Sequence, residues 1–407
     1  MKKTIAILGC MDTKESEIFF AKEIIENAGQ KALIIDMSVK ERPIVMPDVT
    51  AEEILEQAGY SWEEIIQLDR GGRISMMTDA MRQVIPILHL KGQFDAVFSM
   101  GGAQNTMMAT AAMRALPYGV PKVMLSTMAS GKRTFGPFVD TKDIVIMHSV
   151  ADISGLNALT ENVIRNAVSS VIGMAMFGGE LKETKAKCVV GTTMLGITSR
   201  GVERAKEILE AQGLETITFH ANGVGGKSME ELIKAGVIQA SMDLTLHEIA
   251  NEVIGGYCTG ANNRLAAAGE KGIPQVISAG ALDMIDFATE SGPAGYPDDW
   301  ESRQHIYHNA SIIHMKVTEK EIRMIGKLVG ERVSQAKGPV TVLFPLKGFC
   351  EAGAPGGAFF NPAIDRAFIE TVKENLADHV RWMDVDANIN DELFAETAAK
   401  AMLEYVL

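Results

Sequence analysis

The run Thr4-Ile5-Ala6-Ile7-Leu8-Gly9-Cys10-Met11-Asp12-Thr13-Lys14 decides how the chain is read. Residues 4–8 are apolar and end at a glycine, the pattern of a buried strand closed by a tight turn. Ile18, Phe19, Ala21, Ile24 and Ile25 then recur at helical spacing as far as Gly29, and a second apolar run, residues 32–35, ends in Asp36. Strand, glycine turn, helix, strand and acidic residue make the layout of a mononucleotide-binding half. Such a turn sets backbone N–H groups and a helix N-terminus where an anion sits. It also places Asp36 to accept hydrogen bonds from a ribose, and Asp12, Thr13 and Lys14 add a polar cluster at the same strand end. The turn carries neither GxGxxG nor GxxxxGK(S/T), so it licenses no standard dinucleotide or P-loop site. Gly9 fits equally a tight turn in an unliganded sheet.

At 407 residues the chain exceeds one ordinary core, and two domains are expected. Hydrophobic residues at 47% and charged residues at 22% are the balance of a folded enzyme-like protein rather than a disordered one. A net charge of −13 argues against a nucleic-acid partner, which needs clustered Lys and Arg, but leaves small anionic ligands open. No apolar run approaches the ~18 residues that span a bilayer, so a cytoplasmic protein with no membrane partner is expected. Cys10, Cys188, Cys258 and Cys350 show no CxxC spacing, which indicates neither a zinc ribbon nor a disulfide frame. Cys10 reads as a small buried apolar side chain, with a reactive thiol at a helix N-terminus as the alternative.

Further along, residues 37–50 contain Pro43 and Pro47 and read as irregular, followed by short helices over 51–58 and 62–68. Asp69-Arg70-Gly71-Gly72-Arg73 reads as a loop whose two guanidinium groups suit phosphate or carboxylate, or are surface charge. A helix is expected over 78–91. A strand over 96–99 then ends in a second glycine turn, Gly101-Gly102-Ala103-Gln104-Asn105-Thr106. The strand over 121–125 ends in a third small-residue loop, Ser126 to Gly131, and in a parallel sheet all three turns share one edge. The polar stretch 178–187 marks a boundary, giving domains 1–180 and 181–407. Beyond it Ala205-Lys206-Glu207-Ile208-Leu209 with Gly213 repeats Ala21-Lys22-Glu23-Ile24-Ile25 with Gly29 at an offset of 184, either by duplication or because βαβ units look alike.

In that second half, His220 to Ser228 ends in Gly225-Gly226-Lys227-Ser228, which fails the P-loop pattern at Ala221 yet offers amides, a lysine and a hydroxyl to an anion. Asp243, His247 and Glu252 fall near a helical segment, with Asn251 on the face of His247. Residues 291–299, rich in Gly and Pro, read as a lid or an interdomain cover. His305, His308 and His314 read as substrate-binding or structural histidines, with a metal the alternative if 305 and 308 share a helical face, and no metal is expected. Lys347 closes a strand over 340–344.

Taken together, Gly9-Cys10-Met11-Asp12-Thr13-Lys14, Asp36-Met37-Ser38, Gly101-Gly102, Pro121-Lys122-Val123, Ser126 to Gly131 and Leu346-Lys347-Gly348 resemble a family of bacterial proteins related to the tomato mosaic virus resistance protein. The resemblance runs over nearly the whole chain. It implies two Rossmann-like doubly wound α/β domains with mostly parallel sheets, a homodimer, and ATP or another nucleotide held by the N-terminal domain. Carried over by position, its contacts are Asp12, Thr13, Lys14, Val39 and the Gly102-Ala103-Gln104-Asn105 turn, with one more at Met81, where the family has arginine. Gln104 and Asn105 stand where the family turn is richer in glycine, and they narrow the room for a phosphate chain. With the strand-end residues Gly9, Asp36, Gly101 and Ser126 these form the expected cofactor site. The expected function is nucleotide binding with a small anionic metabolite as second ligand, and His220, Lys227, His308 and Lys347 as acid/base and anion-holding groups. The alternative is a non-catalytic, nucleotide-stabilised dimeric module.

Overall fold

A computed structural model describes residues 2–130, 136–179, 184–260 and 262–407, and the chain's contacts divide it into two compact units, Met1–Glu183 and Thr184–Leu407. In the first unit, β1 (Thr4–Gly9), β2 (Lys31–Asp36), β3 (Ala96–Gly101), β4 (Lys122–Ser126) and β5 (Val145–His148) pair only in parallel, in the order β2-β1-β3-β4-β5. Its helices are α1 (Met11–Asn27), α2 (Ala51–Gln57), α3 (Trp62–Gln67), α4 (Arg70–Leu90), α5 (Ala103–Ala115), α6 (Gly136–Val139) and α7 (Ala158–Phe177). Both sheet faces are covered, which is why the strands read as continuous apolar runs. Ile5 and Ile7 pack with residues of α1 and α7, while Ala6 and Leu8 pack with residues of α2 to α5. The strand order reverses between β1 and β3, and in open α/β sheets ligands bind outside the carboxyl ends at such a point.

Helix α4 starts at Arg70 rather than at residue 78. Asp69 caps it, its Oδ1 accepting the Gly72 N–H at 2.7 Å, so the Arg70 to Arg73 segment is the first helical turn and not a loop. Pro86 lies within the helix, as expected.

The second unit contains β6 (Val189–Met194), β7 (Glu215–His220), β8 (Ala240–Thr245), β9 (Gln275–Gly280), β10 (Met284–Ala288), β11 (His305–Tyr307), β12 (Ile312–Lys316), β13 (Val340–Pro345) and β14 (Arg381–Val385). Its helices are α8 (Ser199–Ala211), α9 (Gly225–Lys234), α10 (His247–Ile254), α11 (Ala266–Lys271), α12 (Glu319–Val333), α13 (Pro362–Glu374) and α14 (Glu392–Val406). The main sheet is parallel in the order β14-β13-β9-β8-β6-β7. Read from β7, this repeats the order of the first unit, with β14 added beyond the fifth strand. An antiparallel sheet, β10-β12-β11, is inserted between β9 and β13. It places His305 on a strand and His308 just beyond it, so the two do not share a helical face. The 291–299 stretch is anchored: Tyr296 and Trp300 stack in series with Phe287 and His305, at centroid distances of 5.4–5.7 Å. No helix among the described residues is long and apolar enough to cross a membrane.

Candidate functional site

At the β1/β3 reversal a cleft of ≈ 550 Å³ opens, lined by Asp12, Thr13, Val39, Lys40, Leu68, Asp69, Arg70, Arg73 and Gln104. These come from the starts of α1, α4 and α5 and from the segment after β2, so three helix N-termini face one hollow. They are not equally available. The Met11 N–H donates to Asp36 Oδ1 at 3.2 Å and the Asp12 N–H to Ser38 Oγ at 3.0 Å, so the start of α1 is already satisfied. At α4 the Asp69 carboxylate takes the Gly72 amide. At α5 the cap is Gly102, which has no side chain to offer, and no acceptor lies on the Ala103 and Gln104 amides among the described residues. Among the described residues a Cβ on Gly102 would meet only Thr127 Oγ1, at 3.7 Å.

The charges divide in the same way. Arg73 is spent on its own chain: Nε donates to Leu68 O at 2.9 Å, and its Nη atoms to Ile66 O at 2.6 Å and Val39 O at 3.4 Å. This ties the α3–α4 turn to the segment after β2. Arg70, one turn earlier and exposed, makes no such bond among the described residues. Asp12 Oδ2 accepts the Lys40 N–H at 3.2 Å, while its Oδ1 has no partner among the described residues.

Asp12, Thr13, Val39 and Gln104 are therefore the expected contacts that the fold brings together. Others do different work. Gly9 packs against Ile18, whose Cδ1 would lie 2.4 Å from a Cβ there and would have to move to admit one. Asp36 is fully buried and pins Met11 and Ser38 (Ser38 Oγ at 2.5 Å) instead of reaching a ribose; burial pushes its carboxyl up to about 6. Lys14 is half-buried in α1 with non-helical torsions and does not line the cleft. Met81 is core, because the middle of α4 faces the sheet, and the neighbouring Arg82 pairs with Asp79 on the outside. Ser126 is buried against Thr106 Oγ1 at 2.7 Å. Asn105 folds back to donate to Met100 O at 3.0 Å, leaving Gln104 as the side chain that narrows the cleft; Gly101, at φ +151°, leaves room for that fold. Ala103 is exposed at the start of α5. Cys10 is buried, and burial raises its thiol well above the ordinary range. Gly131 lies outside the described residues. Lys40 and Leu68, which also line the cleft, were not singled out in the sequence: Lys40 lies in the irregular segment between β2 and α2, and Leu68 reads as the end of a short helix.

The second unit's carboxyl edge is filled from within. Glu248 Oε1 accepts the Gly223 N–H at 2.7 Å, and its Oε2 accepts the Gly226 N–H at 3.1 Å, occupying the amides expected to hold an anion. Glu248 also pairs with Arg264, which is fully buried and reaches Asp243 Oδ1 with its other nitrogen at 2.5 Å. Thr193 Oγ1 donates to the same Asp243 oxygen, and Thr198 and Thr245 share a hydrogen bond of 2.8 Å. A Cβ on Gly226 would lie 2.1 Å from Glu248 Oε2, so this glycine accommodates a carboxylate of the chain itself.

The four groups expected to act in catalysis are not one site. His220 ends the edge strand β7, and Lys227 lies in the first turn of α9. Lys347 follows β13, four strand spacings (about 19 Å) from β7, and pairs with Asp386 at 3.0 Å. His308 stacks on His314 at 4.8 Å in the inserted sheet.

Two family models account for nearly the whole chain: "Uncharacterised protein family (UPF0261) N-terminal domain" matches residues 3–179, and the corresponding C-terminal domain matches residues 187–406. A UPF0261 protein of Clostridium tetani is 40% identical over 407 residues, 99% of each chain. The ToMV resistance protein Tm-1(GCR237) of Solanum lycopersicum is 34% identical over 343 residues, which are 82% of this chain and 45% of that one. Among solved structures, a UDP-GlcNAc 2-epimerase of Methanocaldococcus jannaschii aligns over 99% of this chain and 93% of its own, at 11% identity and a TM-score of 0.22. The extent of the two family matches and of the bacterial relative shows that the chain belongs to the UPF0261 family.

Proposed function

We propose that the β1/β3 cleft of the first unit binds a nucleotide, with ATP as the first ligand to test. The observation that supports this most is the joining of Asp12, Thr13, Val39 and Gln104 with Arg70 in one hollow of ≈ 550 Å³, within the size range of small-molecule sites. In this reading the Ala103 and Gln104 amides and the Arg70 guanidinium meet the phosphates, and Asp12 Oδ1 accepts from a ligand hydroxyl or amine. The separation of His220, Lys227, His308 and Lys347 favours a nucleotide-responsive binding module over an enzyme built from those four groups. A small anionic metabolite finds no comparable opening at Gly223 and Gly226, where Glu248 already holds the amides.

Calorimetric titration of the full chain with ATP, ADP, AMP and inorganic phosphate tests the reading, with sedimentation of the same samples reporting any dimer. ATP is expected to bind, and Arg70→Ala to weaken it about tenfold by removing one charged contact. Phosphate release measured alongside separates a module from a hydrolase. A folded chain that binds none of these ligands, or an Arg70→Ala variant that binds ATP as well as the parent, ends the proposal.

A further inference from the structure

We propose that His247, Cys258 and Asp286 hold a divalent transition-metal ion inside the second unit. Their ligand atoms all lie within 4.8 Å of one another, and the three residues are 0%, 3% and 4% exposed. Each comes from a different piece of chain: His247 opens α10, Cys258 sits in the turn that follows that helix, and Asp286 is on β10. His247 Nε2 is 3.1 Å from Asp286 Oδ2, and Cys258 Sγ is 3.4 Å from the same oxygen. Around a tetrahedral ion with bonds of about 2.0–2.3 Å, neighbouring ligand atoms stand about 3.3–3.7 Å apart, so the two distances to Asp286 Oδ2 match after shifts of a few tenths of an ångström.

The surroundings aim the ligands. His247 Nδ1 donates to Ala281 O at 3.0 Å, which leaves Nε2 as the nitrogen facing the other two groups. Ala281 holds that carbonyl in place with φ at +53°, a left-handed conformation that a non-glycine residue adopts at a cost. Asn251 Oδ1 accepts the Cys258 and Asp286 N–H groups, both at 3.3 Å; its amide nitrogen donates to His247 O and to Nε2, each at 3.0 Å, and an ion on Nε2 takes the place of that second bond. A Cβ on Gly256 would come within 2.0 Å of Asn251 Oδ1, so the turn carrying Cys258 passes this close only as glycine. Asp286 Oδ1 accepts from His314 Nδ1 at 2.5 Å, which orients the carboxylate and leaves Oδ2 toward the cluster.

A Cys–His–Asp relay would need the thiol on one ring nitrogen and the carboxylate on the other. Here the carboxylate stands at Nε2 and Ala281 takes Nδ1, while the thiol reaches the same carboxylate oxygen that Nε2 faces; the groups converge on a point instead of standing in series. One thiolate, one carboxylate, one neutral imidazole and a dication sum to zero charge, which suits a buried site. The mixed sulfur, nitrogen and oxygen set selects Zn²⁺, Co²⁺ or Fe²⁺ over Mg²⁺ or Ca²⁺, and three protein ligands leave a fourth tetrahedral position.

The test uses the full chain stripped by a chelator and titrated with Zn²⁺ or Co²⁺ alone. Support is one ion per chain, a thiolate-to-Co²⁺ charge-transfer absorption that disappears in Cys258→Ser, and Zn²⁺ affinity lowered about 10- to 100-fold by His314→Gln through its loss of hold on Asp286. Because buried variants can fail to fold, X-ray absorption of the Zn²⁺-loaded parent chain is decisive by itself. A shell with one sulfur at about 2.3 Å and nitrogen or oxygen at about 2.0–2.2 Å supports the site. A shell without sulfur, or no tight ion in the folded parent chain, overturns it and leaves the first-unit cleft untouched.

Discussion

The two units share a strand order, yet their switch points are finished differently. Between β1 and β3 the chain leaves the α5 amides and Arg70 facing a hollow; between β6 and β8 it inserts Arg264, Asp243, Glu248 and paired threonines. Glycine-bearing turns stand at the carboxyl edge of both sheets, after β1 and β3 in the first unit and after the edge strand β7 in the second. What differs is whether a carboxylate elsewhere in the chain has already taken the amides. In the second unit Glu248 takes those of Gly223 and Gly226, and Glu230 takes those of Leu265 and Ala267 at 2.6 Å each. A glycine turn at a carboxyl edge is thus an anion site only if the protein does not supply its own anion.

The sharpest way to break this comparison is to unplug the second unit. Arg264→Ala leaves Asp243 and Glu248 buried and facing each other without their cation, a loss of about 3–5 kcal/mol for a broken buried pair. Denaturant unfolding followed by circular dichroism should show an early transition or a failure to fold. A loss under about 1 kcal/mol would mean that the network does not hold this switch point together.

Asp36 sharpens the comparison from the other side, because it is a buried carboxylate with no cation. Its Oδ1 is held by Met11 and Ser38, its Oδ2 has no partner among the described residues, and burial lifts it from 3.8 to about 6. With the folded value above the unfolded one, its contribution is fully present below about pH 4 and is lost as pH rises through about 6. Asp36→Asn keeps the Oδ1 acceptor and does not titrate. Relative to the parent, the variant should therefore gain about 2 kcal/mol between about pH 4.5 and about pH 7.5, read from urea midpoints. A parent–variant difference that is flat with pH would show that Asp36 stays ionised in the folded unit.

Much of this was legible in the sequence, and the rest was hidden for identifiable reasons. Runs such as residues 4–8 and 32–35 announce buried parallel strands, and Gly9, Gly29 and Asp36 mark their ends, so the α/β architecture follows from local pattern. That Asp12 and Thr13 stand at a strand-end hollow was legible too, because the strand-end rule is local. Local pattern does not say which way Asp36 or Asn105 turns, and both turned inward. Arg70 read as a loop residue because two glycines follow it; the Asp69 cap that makes the segment helical is a single hydrogen bond. His247, Cys258 and Asp286 lie on separate elements, and only the inserted β10-β12-β11 sheet brings the last of them to the other two. No spacing rule reaches across such an insertion.

The smallest expected effect comes from one pair of glycines read side by side. Gly226→Ala puts a methyl 2.1 Å from Glu248 Oε2 and 2.2 Å from Arg264 Nη1, atoms fixed by their mutual pairing, so the network must move. The expected cost is about 1–3 kcal/mol, as for overpacking, seen as a lowered Tm of the transition that the second unit reports. Gly102→Ala meets, among the described residues, only Thr127 Oγ1 at 3.7 Å, with φ at −85°, so stability should stay within about 0.5 kcal/mol. Its effect should appear only in ATP titration, where a methyl in front of the α5 amides crowds the phosphates. If Gly102→Ala instead lowers Tm as much as Gly226→Ala, the first-unit turn is closed by contacts of its own. The two switch points would then be alike, and the open amides of α5 would have no claim to a ligand.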